Sequence, residues 1–190
     1  MKKIQNTKII DVGTGSGNII IAIAKQLQNF QFSIFNFQFI GIDNSNKTLS
    51  VAKNNAKFNK VDKKIKFIKG NLLNPIIQNS KFKIQNSNLT ITANLPYLSK
   101  EIYNSCSKDI KNYEPKSALL SQKEGLSHYE KLLRQLVTGH WSLVTCFFEI
   151  SPEQKPKIFK LIKSYFPKAK IIFHKDLSGR WRICETEFQI

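Results

Sequence analysis

Two rhythms of apolar residues alternate along the chain. Short runs at 8–12, 37–42, 65–68, 89–93 and 143–150 are rich in isoleucine, valine and phenylalanine, and their lengths predict strands. Between and after them apolar positions recur three and four apart, over 19–27, through Leu49, Ala52 and Ala56, and over 101–110, 127–137 and 153–165. That spacing predicts helices with one buried face. Asn44 or Ser45 stands where an N-cap belongs, just ahead of the second helix. The last two runs, 169–173 and 181–188, are joined only by a short link containing Asp176 and Gly179, so they form a hairpin. Strands alternating with helices imply a mainly parallel sheet covered on both faces. The expected fold is α/β, a doubly wound sheet of seven strands ending in an antiparallel hairpin.

With 190 residues and 41% hydrophobic content, the chain can bury a core as one compact domain spanning 1–190. Two stretches interrupt the pattern: 28–39 is nearly all Phe, Asn and Gln, and 76–88 repeats Ile-Gln-Asn-Ser around Lys81-Phe82-Lys83. Both read as low-complexity surface loops or strand extensions. Cys106, Cys146 and Cys184 are scattered and odd in number, which excludes a disulfide framework and a CxxC metal site and points to a reducing, cytoplasmic setting. Met1-Lys2-Lys3 is followed by Ile4-Gln5-Asn6-Thr7 rather than by an apolar core of signal-peptide length, and no apolar run is long enough to span a bilayer, so a soluble protein is expected. His128, His140 and His174 are read as surface or core residues without catalytic roles.

The formal charge of +17, from 30 Lys plus Arg against 13 Asp plus Glu, would attract nucleic acid, ribosomes or acidic proteins weakly and through phosphate or carboxylate. Arg134, Arg180 and Arg182 are the only arginines, so the excess is almost all lysine and also reads as a compositional habit of the whole surface.

Chemistry concentrates at the ends of three strands. Asp11, then Gly13-Thr14-Gly15-Ser16-Gly17, follows the first strand and opens the first helix. A glycine turn there brings backbone N–H groups close to a ligand. Its G-x-G-x-G spacing differs from the G-x-G-x-x-G of dinucleotide sites, and a nucleoside without pyrophosphate fits it better. Asp43, ending the second strand, stands where a carboxylate can accept both ribose hydroxyls. It comes later than the usual interval of about twenty residues, and the Phe/Asn/Gln insertion accounts for the delay. Asp11 can meet a ligand ammonium directly or through water, and Asn71-Leu72 after the third strand can line an adenine pocket.

Asn94-Leu95-Pro96-Tyr97 follows the fourth strand, which in the usual strand order lies beside the first. An amide or aromatic amine nitrogen is a poor nucleophile because its lone pair is delocalised. The Asn94 side-chain oxygen and the Leu95 carbonyl can accept its two N–H bonds and hold it in line with an electrophilic methyl, with Asn94 touching cofactor as well. Pro96 stiffens the turn, and the Tyr97 ring offers a face for a flat amide or base.

In these motifs the chain resembles the peptide chain release factor glutamine methyltransferases, over nearly its whole length. Beyond Asp11 to Gly17 and Asp43, the likeness includes Tyr113-Glu114-Pro115, Ala118-Leu119, Glu124-Gly125-Leu126, Tyr129, Phe148-Glu149-Ile150, and Lys175-Asp176-Leu177-Ser178-Gly179 with Arg182. The resemblance implies a class I methyltransferase fold and S-adenosyl-L-methionine as methyl donor. It further implies methylation of the glutamine amide in the Gly-Gly-Gln motif of a release factor, hence a role in translation termination. Three departures stand out. Leu95 occupies the first proline of the usual N-P-P-Y, giving the Asn-Leu-Pro-Tyr form seen in ribosomal RNA adenine dimethyltransferases. Ser121-Gln122 replaces a frequent Gly-Gly. The N-terminal helical domain that grips the release factor is expected to be absent. Two other readings therefore stay open: an adenine amino-nitrogen methyltransferase acting on RNA or DNA, and a non-catalytic nucleoside- or RNA-binding remnant.

Overall fold

The computed structural model describes residues 5–28, 35–78, 88–98, 100–105, 107, 109, 119, 121–139 and 141–189. The sequence readings at 29–34, 79–87, Cys106, Tyr113-Glu114-Pro115, Ala118 and His140 lie outside these residues. The strands are β1 (Gln5–Val12), β2 (Phe35–Asp43), β3 (Ile65–Lys69), β4 (Asn88–Ala93), β5 (Leu143–Glu149), β6 (Lys170–Lys175) and β7 (Trp181–Phe188). Helices α1 (Asn18–Gln28), α2 (Asn46–Phe58), α3 (Asn74–Ile77), α4 (Lys100–Ser105), α5 (Ser127–Val137) and α6 (Lys155–Tyr165) connect them. The sheet order is β3-β2-β1-β4-β5-β7-β6. The first five strands run parallel, and β7 is antiparallel to both β5 and β6. This is the expected seven-stranded α/β sheet with a terminal hairpin.

Alternation along β1 explains the layers. Ile10 and Val12 belong to the core that α5 and α6 cover with Leu132, Leu133, Leu136, Ile158 and Ile162. Ile9 faces the opposite layer, with Ile20, Ile21 and Ala24 of α1 and Ala56 of α2. Helix α2 is capped by Ser45, whose side chain accepts from the Thr48 N–H at 3.3 Å, which decides between Asn44 and Ser45. Pro152 and Pro156 set back the start of the last helix: a 3₁₀ turn, Pro152–Gln154, precedes it. Within 28–39, the segment from Phe35 onward extends β2 and buries Phe39, so it serves as a strand extension.

Register decides where the chemistry lies. Val12 pairs with Ile42 on one side and Ala93 on the other, and Ala93 pairs with Phe148. The next residues along these parallel strands, Gly13, Asp43, Asn94 and Glu149, therefore form one row across the carboxyl edge of the sheet. An open parallel sheet puts its ligand crevice at this edge.

Candidate active site

A cavity of about 580 Å³ opens at that row. Gly13, Gly15, Asp43, Asn71, Leu72, Asn94, Leu95 and Pro96, drawn from four segments far apart in sequence, all line it. The backbone adopts positive φ at Gly13 (71°) and Gly15 (54°), a conformation open to glycine without strain. At Gly15 a Cβ would meet nothing within 4 Å, so this glycine faces open space.

The glycine loop is braced from behind. Its Gly13 and Thr14 N–H groups donate to the Ile42 carbonyl, at 2.8 and 2.9 Å. The Gly15 N–H donates to Asp43 Oδ2 at 2.9 Å, while Oδ1 accepts from the Ser45 N–H at 2.9 Å and the Thr48 hydroxyl at 3.0 Å. Asp43 thus ties the glycine loop to the start of α2. Ser16 offers its carbonyl to the Asn55 side chain at 2.9 Å, and the Gly17 N–H closes the loop on the Thr14 carbonyl at 2.8 Å.

Asp11 does not line the cavity. It is 1% exposed, and it accepts from the Thr14 hydroxyl at 2.6 Å and the Thr92 hydroxyl at 2.7 Å. Burial pushes its pKa above the ordinary carboxylate value, and the two hydroxyls oppose that push.

The Asn94–Tyr97 turn is anchored at both ends. Buried Gln154 donates to the Tyr97 carbonyl at 2.8 Å and to the Glu124 carbonyl at 3.1 Å. The Tyr97 hydroxyl donates to Glu149 Oε1 at 3.2 Å. Burial, reinforced by the Glu149 carboxylate, pushes the Tyr97 pKa up to about 12, and Arg182 opposes this. Arg182 in turn reaches Asp176 Oδ2 at 3.3 Å, so the hairpin motif seen in the sequence braces the same corner. Tyr129, fully buried on α5, donates its hydroxyl to the Glu149 carbonyl and lies 3.4 Å from the Ala93 carbonyl. Among the described residues, nothing donates to the Asn94 side-chain oxygen or to the Leu95 carbonyl, and Asn94 is exposed.

Sequence reading passed over Lys47, Thr48, Val51 and Gly70, and read His128 as a surface or core residue without a catalytic role; all five also line the cavity. Thr48 and Val51 follow Asp43 on the first turns of α2, a spacing that could have flagged them. Gly70 had a signal too: it follows β3 as Gly13 follows β1. For His128 the sequence held none, because its place depends on how α5 packs.

The model of a family described as "Methyltransferase domain" matches residues 3–164. The chain belongs to this methyltransferase domain family. Among curated relatives, the release factor glutamine methyltransferase of Flavobacterium psychrophilum is 33% identical over 100% of the chain and 61% of its own length. Those of Enterococcus faecalis and Bacillus subtilis are 31% and 32% identical, over 94% and 93% of the chain and 59% and 57% of their own lengths. The chain therefore spans about six tenths of the length of these relatives. Among solved structures, the hMettl16 catalytic domain in complex with MAT2A 3'UTR hairpin 1 aligns with a TM-score of 0.65 at 15% identity, covering 96% of this chain and 63% of that one. The N-terminal domain of human METTL16 in complex with SAH aligns with a TM-score of 0.60 at 13% identity, covering 96% and 61%. At such identity the likeness shows the fold alone. Among the described residues no His/Cys/Asp/Glu group could hold a metal ion, and no helix is long and apolar enough to cross a membrane.

Proposed function

We propose that this methyltransferase domain transfers a methyl group from S-adenosyl-L-methionine to the side-chain amide nitrogen of the glutamine in the Gly-Gly-Gln motif of a peptide chain release factor. The observation that carries the reading is the pairing, across one cavity, of the glycine loop with a turn whose Asn94 oxygen and Leu95 carbonyl accept no hydrogen bond among the described residues.

The residues fit the donor. Gly15 leaves room for a ligand to lie against backbone, Asp43 lines the cavity beside the loop, and Asn71 with Leu72 walls the adenine side. Asp11 is a buried carboxylate whose hydrogen-bond partners, the Thr14 and Thr92 hydroxyls and the Ile20 backbone N–H, carry no charge, and a donor ammonium beyond the loop would supply the positive charge it lacks. Thr14, Ser16 and Gly17 shape the loop without facing the cavity. Bound S-adenosyl-L-methionine supplies an electrophilic methyl whose bonding pair stays on sulfur when the methyl leaves.

What the chain supplies is orientation. The Asn94 oxygen and the Leu95 carbonyl accept the two N–H bonds of the incoming amide, aim its nitrogen at the methyl, and favour the positive charge that grows on it. Pro96 limits the turn, and the Tyr97 ring supports the flat amide. The acceptor proton departs to water as the new N–C bond forms, so no strong base is needed.

The test is incubation of the protein with radiolabelled donor and either release factor or ribosomal RNA, beside Asn94→Ala. Label on the release factor glutamine, lost in the variant, supports the proposal. The Asn-Leu-Pro-Tyr sequence favours adenine as a second acceptor, and label on RNA alone would replace the first reading with that one. Donor binding without transfer to either would leave a nucleoside-binding remnant.

A further inference from the structure

Asn94 and Leu95 can aim an acceptor only if the turn that carries them stays fixed, and leucine at position 95 leaves a backbone torsion that proline would have locked. Gln154 and Glu149 hold the Tyr97 end. At the other end the Tyr129 hydroxyl meets the Leu95 backbone. Between them is Pro96, whose carbonyl interacts with the ring of His128.

His128 lines the cavity beside Asn94, Leu95 and Pro96. Its Nδ1 lies 3.1 Å from Ser121 Oγ, and Ser121 Oγ lies 2.9 Å from Ser127 Oγ. Ser121 is 6% exposed, so the exchange of these partners for water is restricted. Burial, and then Lys131, lower the His128 pKa, which favours a neutral ring with one donor and one acceptor. The Pro96 carbonyl can only accept, so the ring turns a donor N–H toward it, while Nδ1 meets the Ser121 hydroxyl, which also lies 3.4 Å from the Gln122 carbonyl.

We infer that His128 is a positioning residue for the acceptor: the chain Ser127, Ser121, His128 holds the Pro96 carbonyl and so fixes where the Asn94 oxygen and the Leu95 carbonyl point. The inference rests on the transferase reading of the site. In this chain a serine at 121 does what backbone rigidity at 95 does not.

The test compares the full chain with His128→Leu, which keeps bulk and removes both polar contacts, and with His128→Gln, whose amide can still donate toward Pro96. Two readouts are taken: the Asn94 side-chain amide signals by nitrogen-15 NMR, and kcat against KM for methyl transfer. His128→Leu is expected to displace the Asn94 signals and lower kcat about 10- to 100-fold, as small misplacement of a reacting group does, with KM for the donor nearly constant. His128→Gln is expected to restore most of both. Should His128→Leu fail to fold, Ser121→Ala cuts the same chain and is expected to move the Asn94 signals in the same direction. Unmoved Asn94 signals in a folded His128→Leu or Ser121→Ala would overturn the inference, and so would a kcat loss that His128→Gln does not reverse. An inactive wild type would sink the transferase reading alone, because the NMR comparison still decides the role of His128.

Discussion

A Cβ built on Gly13 would stand 2.8 Å from Leu95 Cδ2 and 4.0 Å from the Asn94 carbonyl oxygen. The glycine loop and the Asn94 turn are thus in contact, and the absence of a side chain at 13 permits it.

Gly13→Ala is therefore expected to be costly in two ways. Its φ of 71° strains any L side chain, by about 1 to 3 kcal/mol, and the new methyl pushes Leu95 away from the loop. Urea unfolding should show a loss of that size, and calorimetry should show weakened binding of S-adenosylhomocysteine. An unchanged unfolding midpoint would contradict the close approach.

Asn94→Ala isolates a different step. The Asn94 side chain is exposed and makes no hydrogen bond among the described residues, so its loss leaves nothing buried and unpaired. Stability is expected to stay within about 0.5 kcal/mol of wild type, as at ordinary surface sites. The rate of methyl transfer should fall about 10²- to 10³-fold, the usual cost of one preorganised partner of a developing charge. Stopped assays at saturating donor, read beside a melting curve, check both halves.

The sheet and the pairing of its two key loops were legible in the sequence for a simple reason. Parallel neighbours end at the same edge, so a glycine turn after β1 and an asparagine turn after β4 must meet, and the register of Val12 with Ala93 makes them adjacent. Asp43 was legible by the same rule through Val12 and Ile42. Roles set by helix packing were not. Gln154 reads as an ordinary polar residue in a chain rich in glutamine, yet it is 2% exposed and grips the Tyr97 carbonyl across 57 residues. Gly125 lies where a Cβ would overlap the same carbonyl, at 1.9 Å, a constraint that only the meeting of two loops creates.

Tyr97 gives a pH expectation. Its pKa lies near 12, above the usual phenol value, because burial and Glu149 penalise the phenolate. A group whose folded pKa is raised contributes stability that is full below its ordinary value of 10.0 and is lost as pH rises through about 12. Ionisation of Tyr97 should therefore leave activity flat from pH 7 to 9. Tyr97→Phe keeps the ring face and should retain most activity, while shrinking the alkaline loss of stability. A limb in the wild-type rate that titrates near pH 8 and vanishes in Tyr97→Phe would contradict this.

Asp11 carries the last prediction. Burial raises its pKa, so its contribution to stability is full below the ordinary value of 3.8 and is lost as pH rises through the raised one; at neutral pH the buried charge is a cost. Asp11→Asn removes that charge while keeping its partners, because the amide oxygen can accept from the Ile20 N–H and from one of Thr14 and Thr92 while the amide N–H donates to the hydroxyl oxygen of the other. The unfolding midpoint at pH 7 is thus expected to hold or rise, and the stability of the variant should vary less with pH between 4 and 7. Donor affinity should move the other way, falling about tenfold with the loss of one charge facing the ammonium, which corresponds to about 1.4 kcal/mol. A loop that merely needed its hydroxyl acceptors would bind donor equally well with asparagine, and equal affinity would remove Asp11 from the donor site proposed above.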